Sequence, residues 1–174
     1  IGYESVEGKG STFWFTIVGK PAALGVEATE SYSTAKSYIS TRSLRILLAE
    51  DNILNQQVIK AILLKLNHTV DAASDGFSAV EAARSTRYDL VLMDIWMPKM
   101  DGLEASRLIR KSSKELSEIP IIAITADAMS ENYKRYLVEG LNDCVTKPIK
   151  LLELVQAIKR VLDENIHVAA TGDY

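Results

Sequence analysis

The feature that most constrains the fold is an alternation of two sequence patterns between residues 44 and 162. Short apolar runs such as LRILLA at 44–49 and DLVLM at 89–93 predict strands, and apolar residues three or four apart at 54–66 predict a helix. Strands that are apolar along their whole length and alternate with helices are typical of a parallel sheet covered on both faces. Five such units predict a doubly wound α/β fold and exclude an eight-unit barrel.

The same patterns set the bounds of the other elements. The predicted strands are 44–49, 68–73, 89–93, 119–124 and 141–146, and the predicted helices are 54–66, 75–85, 101–111, 128–138 and 150–162. Asp75 is expected to cap the second helix, and Gly140 to end the fourth. Before this region, residues 1–5 and 11–18 predict two strands joined by a glycine turn, and 20–43 predicts a linker with one helical turn near 33–39.

Reactive side chains stand at the ends of four of the five predicted strands. Glu50 and Asp51 follow the first strand, Asp94 follows the third, Thr125 follows the fourth and Lys147 follows the fifth. The carboxyl ends of parallel strands meet at one edge of the sheet, where ligands of open α/β sheets bind. We therefore expect three carboxylates, a hydroxyl and an ammonium group at a single site.

This set of side chains indicates phosphoryl chemistry. Three clustered carboxylates need a compensating cation. Mg²⁺ suits a few carboxylate ligands and retains water positions for phosphate oxygens. Lys147 would contact a phosphoryl group as a point charge, and Thr125 would donate a hydrogen bond to it. A carboxylate beside the metal can act as the nucleophile. The sequence thus predicts a magnesium-assisted aspartyl phosphate on Asp94.

Four motifs at these positions resemble the receiver (response-regulator) domain of two-component signalling. They are EDN at 50–52, MDIWMPKMDG at 93–102, ITA at 124–126 and TKP at 146–148. Together, in this order and at strand ends, they are specific to that family. The resemblance covers residues 44–165 and implies a flavodoxin-like (βα)5 doubly wound sheet of five parallel strands with the order 2-1-3-4-5.

The resemblance also implies a role for each site residue. Asp94 would be the phosphoacceptor, and Glu50, Asp51, Asp94 and the backbone carbonyl of Trp96 would bind Mg²⁺. Lys147 would pair with the phosphoryl group.

Two further features of the family involve residues beside this set. The peptide bond between Lys147 and Pro148 would be cis, and Thr125 would move toward the phosphoryl group after phosphorylation. The chain departs from the family at Cys144, where receivers usually carry an aromatic residue that swings inward as the threonine moves.

The N-terminal segment IGYESVEGKGSTFWFTI resembles the last strands of a histidine-kinase ATP-binding domain. The expected organisation is a kinase remnant at 1–19, a linker at 20–43, the receiver at 44–165 and a tail at 166–174. This order is that of a hybrid sensor histidine kinase. The boxes that bind ATP and carry the phosphorylated histidine are missing from this sequence, so the chain is expected to catalyse only its own aspartyl phosphorylation and dephosphorylation.

Composition narrows the expected partners and location. The net charge is −3 with acids and bases interspersed, which argues against nucleic acid. No apolar run reaches the length of a membrane span, so a cytoplasmic location is expected, with any anchor elsewhere in the parent protein. The implied partners are a phosphohistidine-bearing kinase dimerisation domain and a histidine phosphotransfer protein, which would meet the first helix at Ile53, Leu54 and Gln57. A dimer is left open.

Taken singly, each site residue has an ordinary structural explanation. Glu50 and Asp51 could favour a helix N-terminus, Lys147 could be a solvated surface charge, and His68 is expected at the surface. A receiver-like interaction module that is not phosphorylated would not need the intact set of acids. A magnesium-dependent phosphatase would want an acid at Trp96, and a flavin-binding domain would want a Ser/Thr/Gly-rich loop where EDNILNQ stands.

Overall fold

The structure is a computed structural model of the 174-residue chain. It describes the backbone of residues 1–6, 8, 10–16, 42–126 and 130–170, and within these ranges it describes the side chains except those of 130–133 and 164–170. The helical turn expected near 33–39 and the end of the second expected strand, at 17 and 18, lie outside the described residues. Among the described residues, no helix is both long and apolar enough to span a lipid bilayer.

The N-terminal segment forms an antiparallel hairpin of strands β1 (Gly2–Val6) and β2 (Gly10–Trp14). Gly8 and Gly10 have φ values of 76° and 94°, which L side chains adopt only at a cost, so these glycines serve the turn as expected. The aromatic side chains of β2 and the residue after it are exposed to solvent. A two-stranded hairpin of this kind is marginal by itself.

The predicted strands after residue 44 form one parallel sheet. These strands are β3 (Arg45–Ala49), β4 (Thr69–Ala73), β5 (Leu90–Asp94), β6 (Ile121–Thr125) and β7 (Asp143–Thr146). They lie in the order β4-β3-β5-β6-β7, and every neighbouring pair is parallel. Numbered from the first strand of the sheet, this is 2-1-3-4-5, so the expected doubly wound fold and its strand order are confirmed.

Helices connect the strands. They are α1 (Ile53–Lys65), α2 (Gly76–Ser85), α3 (Gly102–Arg110), α4 (Lys114–Glu118), α5 (Ser130–Val138) and α6 (Leu151–Ala170). The short helix α4, capped by the Ser113 hydroxyl, was not predicted because one helical turn carries no period. The predicted end of the last helix at residue 162 was wrong, since the helix continues through part of the expected tail.

Two apolar layers cover the sheet. Alternate residues of β3 point to opposite faces, so that Leu47 packs with the residues below α2 and α3, whereas Leu48 packs with those below α1 and α6. The interior strands β5 and β6 are buried along their whole length. Each fully buried aliphatic side chain of this kind contributes about 1.5–3 kcal/mol. The layers therefore hold the strand ends, and the side chains that follow them, at fixed positions.

His68 corrects the surface position expected for it. Its ring is buried, and its Nδ1 accepts the backbone N–H of Leu44 at 3.3 Å. Burial lowers the pKa of this imidazole, which keeps it neutral in the fold. The histidine thus supports the entry of the chain into β3, a role that depends on a residue 24 positions away.

Candidate functional site

The parallel sheet brings the predicted reactive residues to one edge. Asp94 is the last residue of β5 and Thr125 the last of β6. Glu50 and Asp51 directly follow β3, and Lys147 directly follows β7. Glu50, Asp94 and Thr125 are buried, whereas Asp51 is exposed. The exposed acid marks the side from which a solute can enter.

Lys147 joins the two buried carboxylates. Its Nζ lies 2.6 Å from Asp94 Oδ2 and between 2.9 and 3.1 Å from the two carboxylate oxygens of Glu50. Asn55, in the first turns of α1, donates its amide to Glu50 Oε1 at 2.8 Å. The ammonium group and the amide therefore fix the orientation of both acids before any ligand binds.

The electrostatics of the site leave negative charge uncompensated. Burial is the main cause that raises the pKa of Asp94, and the charge of Glu50 adds to it. Together they outweigh the hydrogen bond and charge of Lys147, which lower this pKa. For Lys147, burial would lower the pKa, but the hydrogen bonds with Asp94 and Glu50 outweigh burial and raise it. Among the described residues, the ammonium group of Lys147 contacts the two buried carboxylates, and the carboxylate of Asp51 adds a third acid nearby. Such a site favours a further cation.

The donor set fits a small hard cation. One carboxylate oxygen from each of Glu50, Asp51 and Asp94 lies within 4.8 Å of the others. Oxygen donors in a small group with open access to solvent are what Mg²⁺ prefers. Trp96, the expected source of a carbonyl ligand, donates its backbone N–H to Asp94 Oδ1 at 3.2 Å, and its side chain is exposed.

The start of helix α3 presses against the backbone of Asp94. A Cβ atom on Gly102 would lie 2.1 Å from the carbonyl oxygen of Asp94, much closer than two non-bonded atoms can approach. The N–H of Gly102 donates to the carbonyl of Ile95 at 2.9 Å. Glycine at this position therefore lets the helix hold the end of β5 in place.

The loop between β5 and α3 is tied to a neighbouring helix. Asp75 caps α2 through a capping box with Ser78, and its other oxygen accepts the Lys99 ammonium at 2.6 Å. The bond from Lys99, together with those from Ser78, lowers the pKa of Asp75 to about 2. The sequence indicated the cap but not the contact with Lys99, which comes from a loop 24 residues away.

Thr125 reaches the expected edge but points to a partner that the sequence did not indicate. Its Oγ1 lies 3.1 Å from the hydroxyl of Tyr136 on α5, and both side chains are buried. The peptide bond between Lys147 and Pro148 is cis, as the resemblance implied. Cys144 is partly buried against the same core as Tyr136. An aromatic residue in an amphipathic helix is usually a core residue, so the helical periodicity gave no sign that Tyr136 would contact a site residue.

Comparisons with known proteins agree with this arrangement. Sensor histidine kinase AruS of Pseudomonas aeruginosa is 35% identical to this chain over 162 residues, which cover 92% of the chain and 16% of that protein. Aerobic respiration control sensor protein ArcB of Escherichia coli is 35% identical over 159 residues, 91% of the chain and 20% of that protein. The chain thus spans a fifth or less of the length of these relatives.

Receiver domains are among the solved structures that share this fold. That of a sensor histidine kinase from Pseudomonas aeruginosa, crystallised with magnesium coordinated in its active-site cleft, is 40% identical, with a TM-score of 0.64 over 70% of this chain and 99% of that one. Chemotaxis protein CheY4 of Vibrio cholerae is 26% identical, with a TM-score of 0.65 over 69% and 99%. The family model of the response regulator receiver domain matches residues 46–159. With its fold, its site and these relatives in agreement, the chain belongs to the response regulator receiver domain family.

Proposed function

We propose that this chain is the phosphoacceptor receiver of a hybrid sensor histidine kinase and works in a phosphorelay. It takes a phosphoryl group from a phosphohistidine onto Asp94, with Mg²⁺ bound, and passes it to a histidine phosphotransfer protein. The observation that carries this proposal is the bridge from Lys147 to Asp94 and Glu50, with Asp51 close by. This bridge orients the nucleophile and places a cation where phosphoryl oxygens would arrive.

The transfer is a substitution at phosphorus. An oxygen of the Asp94 carboxylate forms a bond to phosphorus, and the bond from phosphorus to the donor's imidazole nitrogen breaks. The electron pair remains on that nitrogen, which takes up a proton from solvent. Lys147 pairs with the oxygens of the phosphoryl group, and Thr125 donates a hydrogen bond to one of them. Onward transfer is the same substitution in reverse, with the imidazole of the phosphotransfer protein as nucleophile.

The three carboxylates and the carbonyl of Trp96 are the groups that would hold the magnesium ion. When bound, Mg²⁺ supplies positive charge for the oxygens of the transferred group. Asp51 is exposed, so it can bind the ion from the solvent side, whereas the buried Glu50 is oriented by Asn55 and Lys147. The burial that raises the pKa of Asp94 disfavours its charged form, and a bound metal ion would add positive charge to that of Lys147.

The first turns of α1 offer the surface for both partners. Ile53, Leu54 and Val58 are 67%, 71% and 57% exposed, and this helix begins two residues after Asp51. Exposed apolar side chains beside a reactive group suit docking of a helix that carries the phosphohistidine. Their position supports the kinase dimerisation domain and the phosphotransfer protein as partners of this face.

The N-terminal hairpin belongs, in this proposal, to the kinase ATP-binding domain of the parent protein, and the linker and receiver follow it. Two observations support this organisation. The alignments with AruS and ArcB cover over nine-tenths of the chain, more than the receiver domain alone. The aromatic side chains of the hairpin are exposed, as expected for strands whose neighbours are missing. This part of the parent protein would act in the cytoplasm, with any membrane anchor elsewhere in the parent.

Intact-protein mass spectrometry after incubation with acetyl phosphate and Mg²⁺ tests the first half of the proposal. We expect one added phosphoryl group on the unsubstituted chain, which is the parent of the variants below. We expect none after chelation of Mg²⁺ and none on Asp94→Asn. Asp143→Asn is the control, because Asp143 is a buried acid on β7 that pairs with Arg160. An adduct that survives in Asp94→Asn would show that another residue is the nucleophile. No adduct on a folded parent, together with no binding of beryllofluoride, would favour an unphosphorylated interaction module.

Transfer from the phosphorylated chain to purified histidine phosphotransfer proteins tests the second half. The phosphoryl group is expected to leave Asp94 and to appear on the partner's histidine. Leu54→Ala should slow the rate of this transfer. Substitution of Leu64, which is exposed farther along α1, is the matched control. Equal rates for the Leu54 and Leu64 variants would contradict the proposed docking surface.

A further inference from the structure

Thr125 and Tyr136 form a buried hydroxyl pair at the edge of the site. Their oxygens lie 3.1 Å apart, and the two side chains are 0% and 5% exposed. The bond links the end of β6 to α5, 11 residues along the chain. A buried hydroxyl pair of this kind restrains both side chains in one orientation, because rotating either side chain gives up the hydrogen bond between them.

The hydroxyl of Thr125 has a second use in the proposed reaction. Asp94 pairs with Ile124 in the register of β5 and β6, so Thr125 lies one residue beyond the nucleophile. In the structure, Asp94 accepts hydrogen bonds from Lys147 and Trp96, and Thr125 faces Tyr136. Turning Oγ1 of Thr125 toward a phosphoryl group on Asp94 takes it away from the Tyr136 hydroxyl.

The core around Tyr136 explains why α5 supplies this hydroxyl. Tyr136 packs in the apolar layer that also contains Ala123 and Leu141, and Cys144 borders the same layer. Cys144 lies on β7 opposite Ala123. Cys144 on β7 is a small side chain, whereas Tyr136 on α5 is a large one. The aromatic ring near Thr125 therefore comes from the helix and not from the strand.

We propose that Tyr136 is a positioning residue that holds Thr125 away from Asp94, and that phosphorylation of Asp94 releases this bond and thereby acts on helix α5. The inference rests on the proposed function. It places the response to phosphorylation on α5, where Val138 is exposed two residues after Tyr136. This role differs from the inward swing of the aromatic residue that the family carries at the position of Cys144, because Tyr136 acts on Thr125 through a hydrogen bond before phosphorylation.

Titration with beryllofluoride in the presence of Mg²⁺ tests this role. Beryllofluoride binds to an aspartate as an analogue of the phosphoryl group. If Thr125 must leave Tyr136 before beryllofluoride binds, the apparent affinity is lower the larger the fraction of molecules in which the two hydroxyls are still bonded. Tyr136→Phe removes the hydroxyl and keeps the ring. We expect it to bind beryllofluoride about fivefold more tightly than the parent, the effect of one ordinary intramolecular hydrogen bond. The Thr125 methyl resonance of this variant should already be shifted toward its bound position.

Tyr88→Phe is the matched control. Tyr88 is also buried, and its hydroxyl interacts with Asp71 on the edge strand β4 rather than with a site residue. Its substitution should leave the affinity for beryllofluoride unchanged. A folded Tyr136→Phe with parental or weaker affinity would overturn the proposal.

A measurement on the parent chain needs no variant. The Cζ resonance of Tyr136 should shift when beryllofluoride binds, because the hydroxyl loses its hydrogen bond to Thr125. An unchanged resonance in a chain that does bind beryllofluoride would reject Tyr136 as the positioning residue and leave the receiver function intact. A folded parent that binds no beryllofluoride would instead remove the proposed function, and the inference with it.

Discussion

At the scale of single residues, the site is governed by an imbalance of charge. Lys147 lies within hydrogen-bond distance of both Glu50 and Asp94, and these two carboxylates are buried. A buried carboxylate that pairs with a cation of its own is stabilised in its charged form. Here burial and Glu50 together raise the pKa of Asp94. The charge of Asp94 therefore costs the fold stability, and in the proposed function this charge serves phosphoryl transfer.

Removing this charge should stabilise the chain when no metal is bound. Because the folded-state pKa of Asp94 is raised, its contribution to stability is full below the unfolded pKa of about 3.9 and is lost as the pH rises through the folded value. We expect Asp94→Asn to have a higher midpoint of thermal unfolding than the parent at pH 7 in EDTA. The difference should shrink toward zero as the pH falls to about 4, as circular dichroism can show.

The buried acid Asp143 supplies the comparison for this prediction. It has its own cation, since Arg160 Nη2 lies 2.7 Å away. Asp143→Asn should therefore lower the unfolding midpoint at pH 7, the opposite sign. An Asp94→Asn variant that is less stable than the parent at pH 7 would show that the bond from Lys147 outweighs the burial of the charge.

At the scale of elements, helix α3 sets the position of Asp94, the proposed nucleophile. Gly102 brings the first turn of this helix against the carbonyl of Asp94, and Asp101 caps the turn by accepting the N–H of Glu104 at 2.8 Å. The helix and the end of β5 thus form one unit. A change in the contact between them is expected to move Asp94 relative to Lys147.

Gly102→Ala should damage both stability and phosphorylation. The added Cβ has no room beside the Asp94 carbonyl, and overpacking of this kind costs about 1–3 kcal/mol. We expect a loss of that size in urea unfolding and a slower rate of phosphorylation by acetyl phosphate. Glu104→Ala, on the exposed side of the same turn, should change neither by much. Parental rates in Gly102→Ala would mean that the helix shifts without moving Asp94.

At the scale of the whole molecule, the receiver core and the hairpin differ in what they bury. Both faces of the five-stranded sheet are covered by apolar layers. The large side chains of the hairpin are mostly exposed, among them Tyr3, Phe13, Trp14 and Phe15. The stability of the molecule should therefore come from the receiver part.

Deletion of residues 1–41 should leave the receiver intact. We expect its unfolding free energy to change by less than about 0.5 kcal/mol, as for changes away from the core, and its phosphorylation to persist. Deletion of 1–45 is the control, because it also removes the buried Leu44 and the Arg45 N–H that Asp89 accepts at 2.8 Å. This second deletion should cost at least about 2 kcal/mol from the loss of one buried leucine. Equal losses in both would show that the N-terminal segment supports the receiver.

The sequence by itself determined the fold and the edge at which the reactive groups meet. Apolar runs and helical periods act locally, and parallel strands bring their carboxyl ends to one edge wherever the chain alternates in this way. The parallel sheet, its strand order and the receiver family are confirmed. The roles of the individual site residues stay predictions, although the structure brings Glu50, Asp94 and Lys147 into contact.

Only the tertiary structure decided which side chains pair. Lys147 meets Glu50 across 97 residues of sequence, Lys99 meets Asp75 across 24, and Tyr136 reaches Thr125 from a helix whose pattern indicates nothing but core. The hydrogen bond of His68, which was wrongly expected at the surface, depends in the same way on Leu44, 24 residues earlier. The physical reason is that periodicity reports which face of an element is buried, whereas hydrogen bonds depend on the distance between two atoms, which packing alone sets.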